Sequence, residues 1–394
     1  MSPLARFVLP ALAATGTAYA ACSISGTTTI ENNGDATAMA SCTTFTGGIA
    51  IETGVQEPIS ISGVRELDGD LSVKNNSNLE SISADSLETI KGKFELNDVR
   101  ALNTLSFPKL STVEEIQWVA LPKLQNLEFT AEVKKAATVV ISNTQLQSLK
   151  GINIETIDKI DINNNPYISD ISMQLGNITT SLNLEANNPE VNITFPNLEW
   201  AFNMTFRNCS SIDLPSLETL NGSMGLYGNV LSGFAAPNLT KIGGALALVS
   251  NTEMTNLSLP ELTEVSQNLQ IANNTKLHKI DGLPKLKTIG GALDFNGNFT
   301  EVSLPALNDV DGAFNLQSTG DVQGQCDDFF KPLSDKKRIK GKFTCFGSVA
   351  KPGGQGTTPT VTGANSKKTG AASTLNVQKN AAMGLMGLAA AFFM

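Results

Sequence analysis

The sequence predicts an all-β solenoid with disulfide-stapled ends, and three observations carry that prediction. A motif recurs as FPKL (107–110), LPKL (121–124), FPNL (195–198), LPSL (214–217), APNL (236–239), LPEL (259–262), LPKL (283–286) and LPAL (304–307). From Pro196 onward its prolines return every 19 to 24 residues, a solenoid period. Pairs such as Leu246-x-Leu248 and Leu257-x-Leu259 alternate with period two, as strands with one face in a core do. Cysteines flank this body as Cys22 with Cys42 and Cys326 with Cys345.

The first element is a leader over 1–20. Arg6 precedes an apolar run from Phe7 to Ala14 and then Ala18-Tyr19-Ala20, the order of a secretory signal peptide cut before Ala21. The run is shorter than the about 20 apolar residues a membrane-spanning helix needs. An N-terminal cap, 21–62, follows. In the oxidising compartment that a secreted chain enters, its Cys pair and the C-terminal pair read as local disulfides. Each closes a loop of about 20 residues, a length worth roughly 3 kcal/mol in the loop-entropy model. Cys209 is left over and reads as a buried small hydrophobe.

The solenoid occupies 63–320. Alignment on the leucine that ends each motif gives the frame Leu239, Ile242, Leu246, Leu248, Asn251, repeated as Leu262, Val265, Leu269, Ile271, Asn274 and as Leu286, Ile289, Leu293, Phe295, Asn298. Leu217, Leu220, Met224, Leu226, Asn229 and the early unit Val64, Leu67, Leu71, Val73, Asn76 fit it, and Leu307, Val310, Phe314, Leu316 ends on Thr319 instead. The Leu110 and Leu198 units run one residue short, and the span from Pro122 to Pro196 keeps the length of about three turns without the motif. Each turn therefore holds at least two short strands separated by Gly-Gly, Asn-Asn or Pro corners, and the Asn after the second strand is expected to hydrogen-bond the turning backbone. No turn can bury its own apolar residues, so stacked turns make one core. The frame is shared with leucine-rich repeats, but back segments such as Thr252 to Glu261 lack a helical stripe and carry a central Pro. An all-β solenoid is preferred over a horseshoe with helices.

A C-terminal cap, 321–346, precedes a stalk, 347–370, and a terminal segment, 371–394. Ala381 to Met394 is wholly apolar and too short to span a bilayer comfortably. Upstream lie a polar spacer, Ser373 to Asn380, and the small triplet Gly370-Ala371-Ala372, the order of a glycosylphosphatidylinositol (GPI) signal removed on maturation. Gly370 is the expected attachment residue, with Ala364 and Ala371 nearly as suitable.

A charged fraction of 16% with few aromatics points to a β-rich globular body rather than disorder. A net charge of -9 argues against nucleic acid and anionic lipid, which need clustered Lys and Arg. Lys336-Lys337-Arg338, the one basic cluster, is short. Ten N-x-Ser/Thr sequons stand at Asn75, Asn177, Asn192, Asn203, Asn208, Asn221, Asn238, Asn256, Asn273 and Asn298, and in a secreted chain they imply a heavily N-glycosylated surface.

With this repeat, both Cys pairs and the terminal signal in hand, the chain resembles the fungal family of GPI-anchored cell-wall organisation proteins, whose body is similar to the receptor L domains of insulin and epidermal growth factor receptors. APNLTKIGGALALVSN (236–251) and LPKLKTIGGALDFNGN (283–298) carry the resemblance most specifically, and it runs from about Cys22 to Phe346 and again through the terminal signal. It implies a right-handed β-helix at the outer face of the plasma membrane or in the wall, serving wall integrity without established catalysis or cofactor. The implied partners are cell-wall polysaccharide or surface glycoproteins, with the membrane engaged through the GPI lipid only. The chain departs from the family in its short, moderately Ser/Thr-rich stalk and in the odd Cys209.

The rival reading is a β-helix carbohydrate-active enzyme remodelling wall polysaccharide, which needs two carboxylates a fixed distance apart. In KIDI, alternation puts Asp158 on the face of Ile160 and Asp161 on the other, which spoils that pair. Asp68 with Asp70 and Asp309 with Asp311 have the right parity but sit at Gly corners, where solvated turn residues are the commoner explanation. His278, the single histidine, lies between turn and strand without a G-x-S-x-G elbow, so a triad or His-rich metal site is not indicated. The binding reading has a positive feature. Outward positions between the core leucines place Asn268 and Gln270, Asp294 and Asn296, and Asn315 and Gln317 in successive turns, an amide-rich ladder able to bond sugars or a protein edge, with Tyr227 nearby as a stacking surface, although an ordinary solvated β-face is the commoner reason for polar outward residues. Trp118 takes a core position.

Overall fold

The computed structural model describes residues 22–357. The leader, Gly370 and the terminal segment lie outside the described residues. One parallel sheet runs the length of the body, each turn of chain adding one rung. Leu246 pairs with Leu269 and Leu269 with Leu293, one solenoid period apart each time. Where Gly-Gly intervenes, the rung splits into a short and a long strand, as in Lys241–Ile242 and Leu246–Val249. In the two units that run one residue short it is continuous, Thr112–Leu121 and Trp200–Arg207. Three-residue strands such as Asp170–Ser172, Asn192–Thr194 and Ser211–Asp213 form a second parallel strip on the back. Between 42 and 322 the described residues contain no helix, so the all-β solenoid holds and the helical horseshoe does not. The motif-less span supplies three rungs, Thr138–Thr144, Thr156–Asn163 and Asn177–Glu185.

The inward residues of every frame are buried in a single core. Aromatic packing concentrates at two levels, Phe94, Phe107, Trp118 and Phe129 near one end and Phe314, Phe330 and Phe343 at the other. The ends are closed by short helices, Asn33–Ala38 and a run from Gln323 to Asp335. Disulfides Cys22–Cys42 and Cys326–Cys345 hold those caps, as the spacing predicts, and Cys209 is buried and free.

The corner after the long strand explains the recurring asparagine. A residue in the left-handed region comes first, at Asn75, Asn164, Asn208, Ser250 and Asn273 among others, with φ of 51° to 58°. Asn tolerates that conformation better than most residues. The next residue turns inward. Asn251 donates Nδ2 to Leu226 O and Asn274 Oδ1, and its own Oδ1 accepts from the N–H and Nδ2 of Asn229. Asn165 donates Nδ2 to Ile141 O and Asn187 Oδ1 and accepts from Thr144, Asn187 donates Nδ2 to Ile162 O, and Cys209 stands in this column between them and Asn229. Asn298 departs from the frame. The preceding strand, Leu293–Gly297, runs on one residue without the left-handed corner, so Asn298 is exposed and accepts from Thr319 Oγ1 instead.

Candidate functional site

Pairing across the last rungs sets Gln270, Asp294 and Asn315 in one outward column, and Ala272, Asn296 and Gln317 in the next. Asp294 is the hub: it accepts from Asn315 Nδ2 at 2.7 Å, Gln270 Nε2 at 3.4 Å and Asn296 Nδ2 at 3.5 Å. Asn268 is outside these columns, at the corner, where its Oδ1 accepts from the Ala292 N–H.

The C-terminal end of this face is covered by the chain itself. After the last strand, Phe343–Phe346, the backbone crosses Ser318 and lies over the columns. Asn315 Nδ2 donates to Gly353 O, Gln317 Oε1 accepts from the Gly353 N–H, and Gln317 Nε2 donates to Thr357 Oγ1. Asn315 and Gln317 are therefore buried, while Gln270 and Asp294 stay half-exposed. Residues expected to begin a stalk at Gly347 are, up to Thr357, a strap on the body. Tyr227 is also engaged. Its ring lies against Gly225, where any Cβ would collide with it, and Arg207 stacks over it at 4.3 Å. Burial pushes the phenol up, with Arg207 opposing.

The carboxylates weighed for catalysis hold rungs together. A bulge between Ile157 and Lys159 turns Asp158 outward, so it does not share the inward face of Ile160; both Asp158 and Asp161 point out. Asp158 accepts from Thr179 Oγ1, and Asp161 from Asn163 and Asn183 Nδ2. Asp70 accepts from the Lys93 N–H, and Lys340 bridges Asp309 and Asp311. His278 is an exposed corner residue whose Nδ1 lies 2.9 Å from Asn298 O. Among the described residues no group of three or more His, Cys, Asp or Glu is arranged to hold a metal.

Eight sequon asparagines are exposed, whereas Asn177 and Asn203 are half-buried and Asn203 Oδ1 accepts from the Ser223 N–H. One feature escaped the sequence reading, a groove of about 970 Å³ around Ala136 and Ala137. Its sequence signal is the Ala-Ala pair in the motif-less span, within a stretch free of sequons from Asn76 to Gly176.

A family model described as "Ecm33: GPI-anchored cell wall organization protein" matches residues 4–40. The chain is 42% identical over 350 residues, 89% of each chain, to a "Cell surface GPI-anchored protein" of Arthroderma benhamiae. It is 40% identical to "Protein ecm33" of Aspergillus fumigatus, over 90% of this chain and 89% of that one. With "Cell surface GPI-anchored protein ECM33" of Candida albicans it shares 33% identity over 86% and 83%. No solved structure matches.

Proposed function

The chain belongs to the Ecm33 family of fungal GPI-anchored cell wall proteins, and on that premise we propose that it is a non-enzymatic scaffold organising the wall from the outer face of the plasma membrane. Gly370 carries the anchor, the membrane is engaged through that lipid alone, and the rod displays N-glycans and a binding face toward wall polysaccharide or surface glycoproteins. The observation that carries this reading is how acidic side chains are used. Lys74 with Glu95, Lys93 with Glu115 and Lys241 with Glu264 join adjacent rungs, as Lys340 does with Asp309 and Asp311. Cleavage of a glycosidic bond needs a carboxyl kept protonated beside one kept ionised. Carboxylates committed to lysines of the next rung stiffen the stack instead, and at Glu264 the Ser266 hydroxyl and then Lys241 hold the carboxyl below its ordinary range. The open part of the amide face, Gln270 and Asp294, supplies donors and acceptors for a partner.

The mature protein, incubated with wall β-glucan, chitin and mannan, is expected to release no oligosaccharide. Released sugar that disappears on changing one carboxylate pair would establish the wall-remodelling enzyme instead. Phosphatidylinositol phospholipase C is expected to free the protein from cells, and Gly370→Trp to prevent surface display.

A further inference from the structure

The groove at Ala137 is built by a break in a column of charged side chains. Ala137 donates its N–H to Glu114 O, and Asp158 donates its N–H to Ala137 O, so these three residues stack on successive rungs. With rungs about 4.8 Å apart, Glu114 and Asp158 flank the alanine at backbone positions about 10 Å apart. The methyl group leaves a trough between them, and Ala136 beneath is as small. Bulges at Ile90/Lys93 and Ile157/Lys159 carry the neighbouring walls outward. Thr112 and Thr156 put hydroxyls along the side.

Three properties define what the trough takes. Its lining lysines, Lys91, Lys134 and Lys135, match its acids, Glu114, Glu155 and Asp158, so the net charge is zero and a polyanion gains nothing. The side chains of Glu114, Lys134, Lys135 and Glu155 make no hydrogen bond or ion pair among the described residues, which leaves donors and acceptors open. No lining residue is aromatic or arginine, the anchors on which protein interfaces rely. Nine of the ten sequons lie from Asn177 onward and the tenth is Asn75, so none stands on the lining rungs themselves, and the nearest, Asn177, is the half-buried register partner of Thr156 at one edge.

We propose that this trough binds a neutral, hydroxyl-rich polysaccharide strand of the wall, laid along the rod axis and held by hydrogen bonds to Lys135, Glu114, Asp158 and the threonine hydroxyls. The proposal rests on the scaffold reading and gives it a glycan contact distinct from the amide face. Mature protein released from cells is titrated with linear β-glucan and chitin oligosaccharides. Binding of one of them is expected, with a loss of about tenfold or more in Ala137→Trp, which fills the trough from an outward position. A thermal midpoint close to that of the unmodified protein shows that the variant is folded. Glu114→Gln with Asp158→Asn preserves the shape and is expected to weaken binding without changing the absence of released sugar. The proposal is overturned if neither oligosaccharide binds, or if folded Ala137→Trp binds as tightly as the unmodified protein. Binding insensitive to Ala137→Trp but lost in Gln270→Ala with Asp294→Ala moves the contact to the amide face and leaves the scaffold reading standing.

Discussion

Asn251 and Asn298 occupy the same place in the repeat and differ in what they do. Asn251 is fully buried with all its amide valences used by the adjacent rungs, whereas Asn298 is exposed beyond an extended strand. Removing the Asn251 amide leaves Leu226 O and the Asn229 N–H unpaired in the core, at about 1–3 kcal/mol for each buried orphan. Asn251→Ala is therefore expected to lower the unfolding midpoint by several degrees, and Asn298→Ala to change stability by no more than about 0.5 kcal/mol, both read by thermal or denaturant unfolding. Cys209 stands in the same column. Burial pushes its thiol up to about 12, so the reactive thiolate is not formed at ordinary pH. Iodoacetamide at about pH 8 is expected to leave it unmodified in the native protein and to label it after denaturation. The unfolded thiol, near 9.0, loses its proton first. Its stability contribution is thus fully present below that pH and declines as pH rises toward 12, a trend that Cys209→Ala should flatten.

The element with the least sequence signal is the strap. Composition places Gly347 to Thr357 in a stalk, because Gly, Pro and Thr without alternation predict no strand. What fixes the strap is a pair of side-chain amides, Asn315 and Gln317, on the rung Phe314–Ser318, remote in sequence. Gln317→Ala removes both of its contacts with the strap and is expected to raise hydrogen exchange at the Gly353 amide to nearly that of a free peptide, while exchange at Leu246 stays slow. The cap beneath depends on Cys326–Cys345, which closes a separation of 19 residues. Replacing both cysteines by Ala is expected to cost roughly 3 kcal/mol and to begin unfolding at Phe343–Phe346, seen as early exchange there. The bulge before Lys159 shows a second limit. Strict alternation assigns Asp158 to the face of Ile160, and the irregularity between Ile157 and Lys159, which leaves Asp158 and Lys159 both outward, reverses the assignment.

At the scale of the molecule the body is a one-dimensional stack, so a whole period is removable and half of one is not. Deleting 246–268 joins Ala245 to Leu269, which occupies the register position of Leu246, and is expected to leave a soluble, cooperatively unfolding protein with a modestly lower midpoint. Deleting 246–257 sends core leucines to the wrong faces and is expected to give aggregates by light scattering. The sequence by itself determined the solenoid, its period, its inward residues, the corner asparagines and both disulfides. Each of these depends on local alternation or on a pattern repeated from turn to turn, and repetition makes a weak local preference readable. Only the tertiary structure decided which outward residues are open: the strap over Gln317, the ring of Tyr227 against Gly225, the outward turn of Asp158 and the trough at Ala137. Those depend on what lies one rung away or folds back from beyond the repeat, and a side chain's exposure is a property of its spatial neighbours, which sequence spacing does not specify.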